Sequence, residues 1–187
     1  IRGRGLLDDA PNARDYRGRL DVSGTLTLEA KQIYPATLAN FAFGAHGDDA
    51  EVLVRPVAGT ADTVLSAGGR LAIEAPHIES TGVLRAPLGA IDLEAEEIDL
   101  LAGSVLSTSA QGQLIPFGTT QGGLSWAYQQ SNNITRIFGP DGEPLPEQRV
   151  ILNAKDVNLA SGGTIDVSGG GDLLSYESVT GPAGTTD

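Results

Sequence analysis

At 187 residues with 40% hydrophobic content, the chain is long enough to bury a core and too apolar to be disordered. The absence of Cys excludes disulfide stapling and thiolate zinc sites, and a formal net charge of -12 works against nucleic acid or anionic lipid, which need clustered Lys and Arg. No run of about 18 apolar residues exists, so no membrane insertion is expected.

Arg2, Arg4, Arg14, Arg17 and Arg19 stand against Asp8, Asp9 and Asp15, so the start is locally basic in an acidic chain. The sequence opens on Ile1 without a signal-peptide pattern and stops at Asp187, which reads as one segment, residues 1–187, of a larger protein. Gly, Pro, Ser and Thr separate short apolar runs, and no stretch sustains a 3.6 period. An all-β, strand-and-turn protein is predicted.

From residue 26 onward one pattern recurs, apolar-x-apolar-x-Ala-x-x-apolar. It begins at Leu26, Leu71, Ile91 and Val150, and places Ala30, Ala75, Ala95 and Ala154 at one position. Ala75 and Ala95 are 20 residues apart, a repeat length typical of solenoids. Leu71 and Ile73, or Ile91 and Leu93, alternate at period two and so share a face. A second apolar position follows five residues after each pair, and a glycine corner precedes a third at Leu84, Val105–Leu106 and Ile165. Two or three short strands per turn predict a parallel β-helix, with Leu71, Ile73, Ile91 and Leu93 pointing inward and the alanines laddered at a tight corner. A βα alternation would need crossover helices that no segment supplies, and a β-sandwich would not repeat at a fixed step.

Ala30 to Ala75 spans 45 residues and Ala95 to Ala154 spans 59, so insertions are expected near 34–64 and 111–148. The first holds Phe41, Phe43 and a strand-like stretch from Glu51 to Arg55. The second, with Leu114–Phe117, Leu124–Tyr128 and Ile134–Phe138, reads as an extra-helical β-hairpin or small sheet, closed by the turn-rich Gly139–Pro146. The tail from Gly169 is loop-rich.

The segments Gly69–Ala75 and Gly89–Ala95 resemble the repeats of filamentous haemagglutinin-like adhesins, exoproteins of the two-partner secretion class. Leu114–Gly118 and Gly163–Leu173, with Tyr176, Glu177, Gly181 and Pro182, resemble a block found in some of them. The resemblance covers most of residues 20–187. It implies a long right-handed β-helix, export through an outer-membrane transporter partner, and secretion to the bacterial cell surface.

Chemistry is sparse. Glu29, Glu74, Glu94 and Asn153 share one repeat position, so Glu74 and Glu94 are expected to adjoin. Paired acids of this kind serve polysaccharide-active β-helix enzymes, but a solvated outer face explains them as well. Gly162–Asp172 resembles calcium-binding glycine-aspartate repeats without their tandem recurrence. His46 and His77 lack metal-ligand spacing, and neither a nucleophile elbow nor a phosphate loop occurs. No catalytic residue, metal or cofactor is expected. Phe41, Phe43, Phe117, Trp126, Tyr128 and Phe138, six of the nine aromatic residues, fall well inside the two expected insertions. Phe117, Trp126, Tyr128 and Phe138 are therefore the candidate partner-binding residues, with packing against the coil as the competing account. The reading is a shaft segment of a secreted adhesin that extends or presents regions binding a host or bacterial cell-surface receptor or glycan. The alternatives are the stalk of a contact-dependent toxin-delivery exoprotein and a carbohydrate-active β-helix enzyme.

Overall fold

The computed structural model describes residues 16–122, 124–130, 133–138, 147–177, 179–181 and 184–186. Arg2, Arg4, Arg14 and the turn-rich segment 139–146 lie outside them. The described residues form nineteen strands and no helix. In chain order they are β1 (Tyr16–Ser23), β2 (Leu26–Ala30), β3 (Ala39–His46), β4 (Glu51–Pro56), β5 (Arg70–Glu74), β6 (His77–Ser80) and β7 (Val83–Arg85). There follow β8 (Ala90–Glu94), β9 (Glu97–Leu100), β10 (Val105–Ser107), β11 (Leu114–Gln121), β12 (Ser125–Gln130) and β13 (Asn133–Phe138). The last six are β14 (Arg149–Asn153), β15 (Asp156–Leu159), β16 (Thr164–Asp166), β17 (Asp172–Tyr176), β18 (Val179–Gly181) and β19 (Gly184–Thr186). The final two pair with each other as an antiparallel hairpin, a separate two-stranded sheet among the described residues.

Three parallel sheets carry the repeat. Sheet A runs β1-β3-β5-β8-β14, sheet B runs β2-β4-β6-β9-β15, and sheet C runs β7-β10-β16. The chain visits A, B and C in that order; five passes each add one strand to A and to B, and the last three add one to C as well. Period-two alternation sets what lies inside. In sheet A the column Leu20, Phe43, Ile73, Leu93, Leu152 is in register, beside Phe41, Leu71, Ile91 and Val150. In sheet B, Leu26, Val52, Ile78, Ile98 and Val157 align. Sheet C aligns Leu84, Leu106 and Ile165. The middle members of these columns are buried in one apolar cluster to which all three sheets contribute, including Leu71, Ile73, Ile91 and Leu93 as expected. Ala45, Ala75 and Ala95 line the corner between A and B and pack against this cluster.

Two expectations need correction. The segment beginning at Leu26 aligns in sequence with Leu71 but pairs with β4 in sheet B. Its apolar-x-apolar pattern recurs on two faces of one turn, so pattern alone slips by a face. The partner of Leu71 is Phe41. Residues 34–64 are likewise not an insertion as a whole, since β3 and β4 are full members of sheets A and B. The surplus lies in the connection 57–69. Where a sheet C strand would follow β4, Ile33 instead bridges to Leu84 from the preceding turn. Lys31 Nζ and Gln32 Nε2 tether the looped-out chain through the carbonyls of Thr60 and Asp62.

The second expected insertion does form its own sheet, β13-β12-β11-β17, antiparallel among β11, β12 and β13 and parallel where β17 joins β11. It sits over the corner that leads back into sheet A. Leu38, Gly68 and Leu88 occupy that corner in successive turns, all with left-handed backbone (φ 53°, 69° and 53°). Each hands its N–H to the next turn, at Ala67, Pro87 and Thr108 O respectively. A left-handed leucine costs on the order of 1–3 kcal/mol. What offsets it is packing, since both leucines lie against a second buried cluster of Ala67, Ala110, Ile115 and Phe117.

Candidate functional site

The expected contact residues converge on the small sheet. Pro116 and Thr119 flank a register shift in β11, and Gly118 between them has φ 73°. A side chain there would collide with the Ala127 carbonyl, so glycine lets β12 close over β11. Phe117 is thereby sandwiched. Its ring lies 4.9 Å from Tyr128 and 6.3 Å from Trp126, the latter at an interplanar angle of 80°. The Trp126 indole N–H donates to the Phe117 carbonyl, which satisfies the one polar atom of the ring.

Phe117 has 0% exposure and offers no area to a partner, which removes it from the expected contact set. Trp126 and Tyr128 are half-buried against the same cluster. Phe138 pairs with Trp126 through its backbone, and its side chain lies outside the described residues. Among the described residues, the exposed apolar side chains of this sheet are others: Leu114, Leu174 and Tyr176, with Leu124 in the β11–β12 turn. Alternation along Leu114-Ile-Pro-Phe117 already separates an outward Leu114 from inward Ile115 and Phe117. Tyr176 gave no such signal, because its partner strand lies more than fifty residues earlier.

The paired acids fall at the corner of sheets A and B. Glu74 and Glu94 are register neighbours, followed by Asn153, whereas Glu29 belongs to sheet B beside Arg55. They flank an open groove of about 330 Å³ with an alanine floor, Ala45, Ala75 and Ala95, and a rim of His46, Glu74, Glu94 and Glu96. The small floor residues create the groove. Its acids are largely engaged. Arg19 reaches from β1 across Gly44 to Glu74 at 2.9 Å, a path any side chain at position 44 would block through Asp21 and Arg19. Lys155 pairs with Glu96 at 2.9 Å. Arg19 and then the His46 contact at 2.8 Å hold the Asp21 carboxyl below the usual carboxylate range.

The glycine-rich stretch near Gly162 serves geometry. Asp166 accepts from the Ser168 hydroxyl at 2.6 Å and its N–H at 3.0 Å, and these bonds lower its pKa. The Ser107 hydroxyl adds a third bond at 3.2 Å. This closes the strand end of β16 as an Asx-type turn. Among the described residues no three His, Asp or Glu side chains converge to hold a metal ion. Comparison with protein-family models, curated proteins and solved structures finds no match.

Proposed function

We propose that this chain is a segment of a right-handed parallel β-helix, built into the shaft of a large secreted bacterial surface adhesin of the filamentous haemagglutinin type. Its work is mechanical and presentational. Stacked turns set the length of the shaft, and the sheet of β11, β12, β13 and β17 stands out from it as the surface for a cell-surface receptor or glycan. The observation that carries the reading is the in-register stacking of successive strands in three sheets, with one apolar column per inward position. Such an array grows by adding identical turns, each buried by its neighbours, and so suits extension better than enclosure of a substrate. The resemblance of Gly69–Ala75 and Gly89–Ala95 to adhesin repeats supports the same function and implies an outer-membrane transporter as export partner.

Antibody raised against the purified chain tests this in the bacterium that makes it. Intact cells should be labelled along surface projections, and labelling should vanish when the outer-membrane transporter is deleted. Labelling only after lysis would overturn the proposal.

A further inference from the structure

The outer face of sheet B carries a line of polar side chains that crosses all five strands. The Thr25 hydroxyl, at the entry to β2, donates to one Glu51 oxygen on β4 at 3.2 Å. The other Glu51 oxygen lies 3.6 Å from His77 Nδ1 on β6. His77 Nε2 stands 3.1 Å from one Asp99 oxygen on β9. The second Asp99 oxygen accepts from Asn158 Nδ2 on β15 at 3.2 Å. Neighbouring strands lie about 4.8 Å apart, so each side chain reaches only the next turn and the line is continuous only through His77.

Both ring nitrogens of His77 face carboxylate oxygens, which when ionised can only accept. A neutral imidazole has one N–H and serves one of them; imidazolium serves both. We propose that His77 is a proton-set brace of sheet B, tying β4 to β9 across β6 when protonated and releasing one side when neutral.

The surrounding charges act in the same sense. Glu97 from β9 occupies the register position beside His77, with Asp156 of β15 beyond it. Glu79 on β6 is engaged by Arg55 of β4, so Arg55 does not neutralise Glu51 or Asp99. Partial burial of the ring by itself lowers its pKa. The hydrogen bond and charge of Asp99, the charge of Glu97 and the contact with Glu51 together outweigh burial and hold it above the ordinary imidazole value. A raised folded-state pKa means the brace contributes fully below about pH 6.5 and is lost as pH rises through the folded-state value.

The test combines an NMR titration of the His77 ring with urea unfolding at about pH 5.5 and about pH 8.5. The samples are the native chain, His77→Gln and Asp99→Asn. The His77 midpoint should lie above about 6.5 and fall in Asp99→Asn. Between the two pH values the folding constant of the native chain should drop several-fold more than that of His77→Gln, at most about tenfold per unit of raised pKa. A midpoint at or below the ordinary value overturns the brace, as does a His77→Gln profile that parallels the native one. Should His77→Gln fail to fold, the titration midpoints of the native chain and Asp99→Asn decide alone.

Discussion

Ile73 and Leu93 meet across β5 and β8 with almost no exposure, and the two glutamates that follow them face solvent. This alternation decides what each position tolerates. Ile73→Ala or Leu93→Ala should cost about 2–5 kcal/mol in urea unfolding, since each leaves a cavity in the buried cluster that the three parallel sheets share. Glu74→Gln and Glu94→Gln should each stay within about 0.5 kcal/mol. The sign differs between them. Glu94→Gln relieves repulsion between register neighbours, whereas Glu74→Gln also removes the exposed pair with Arg19, worth about 0–1 kcal/mol. A loss above about 2 kcal/mol in either glutamate variant would show that the carboxylate has a binding role the geometry does not reveal. The inward set was legible from period two alone. The Arg19 partnership was not, because it depends on a glycine on an intervening strand.

At the scale of elements, the sheet of β11, β12, β13 and β17 is separable from the three stacked sheets in topology but not in packing. β8 pairs with β14 directly, so the main stack bridges the interruption without it. Replacing residues 113–148 by a short Gly-Ser turn should therefore leave a β-rich circular dichroism spectrum. Stability should nonetheless fall by about 2–5 kcal/mol, because Ile115 and Phe117 are removed from a buried cluster and Leu38 and Leu88 keep their left-handed strain without its cover. If this sheet is the receptor surface, cell or glycan binding by the chain should vanish in the same variant. Retained binding would move the contact surface elsewhere. A hairpin-like insertion could be read from its turns and aromatics. That β17 returns to complete it could not, since parallel pairing between Leu114–Pro116 and Asp172–Leu174 leaves no local trace.

Across the whole molecule the apolar columns are not capped evenly. Ile98 and Leu100 have no exposure, while their sheet B neighbours Val157 and Leu159 are 47% and 49% exposed on the edge strand β15. β14 and β16 are edge strands as well. Open ladders above exposed apolar side chains are templates for further strands. Concentration-dependent association is expected in sedimentation velocity. Leu159→Lys should weaken it while changing unfolding stability by less than about 0.5 kcal/mol, because a charged side chain at a half-exposed edge position opposes strand addition. Equal association in the variant would place the contact on another face.

The sequence by itself determined the class of the fold and most of its inward positions, because period-two alternation and a 20-residue step are local and repeat. It also placed the separate sheet and the adjacency of Glu74 and Glu94. Tertiary structure alone decided which face each repeat joins. The segment at Leu26 and the segment at Leu71 carry one pattern yet lie in different sheets, and only pairing with Val52 or Phe41 distinguishes them. It also turned Phe117 from an expected contact residue into core, moved Phe41 and Phe43 from an expected insertion into sheet A, and drew Thr25, Glu51, His77, Asp99 and Asn158 into one line from five separate turns. Hydrophobic periodicity says that a side chain is covered; which strand covers it is set by register between segments tens of residues apart.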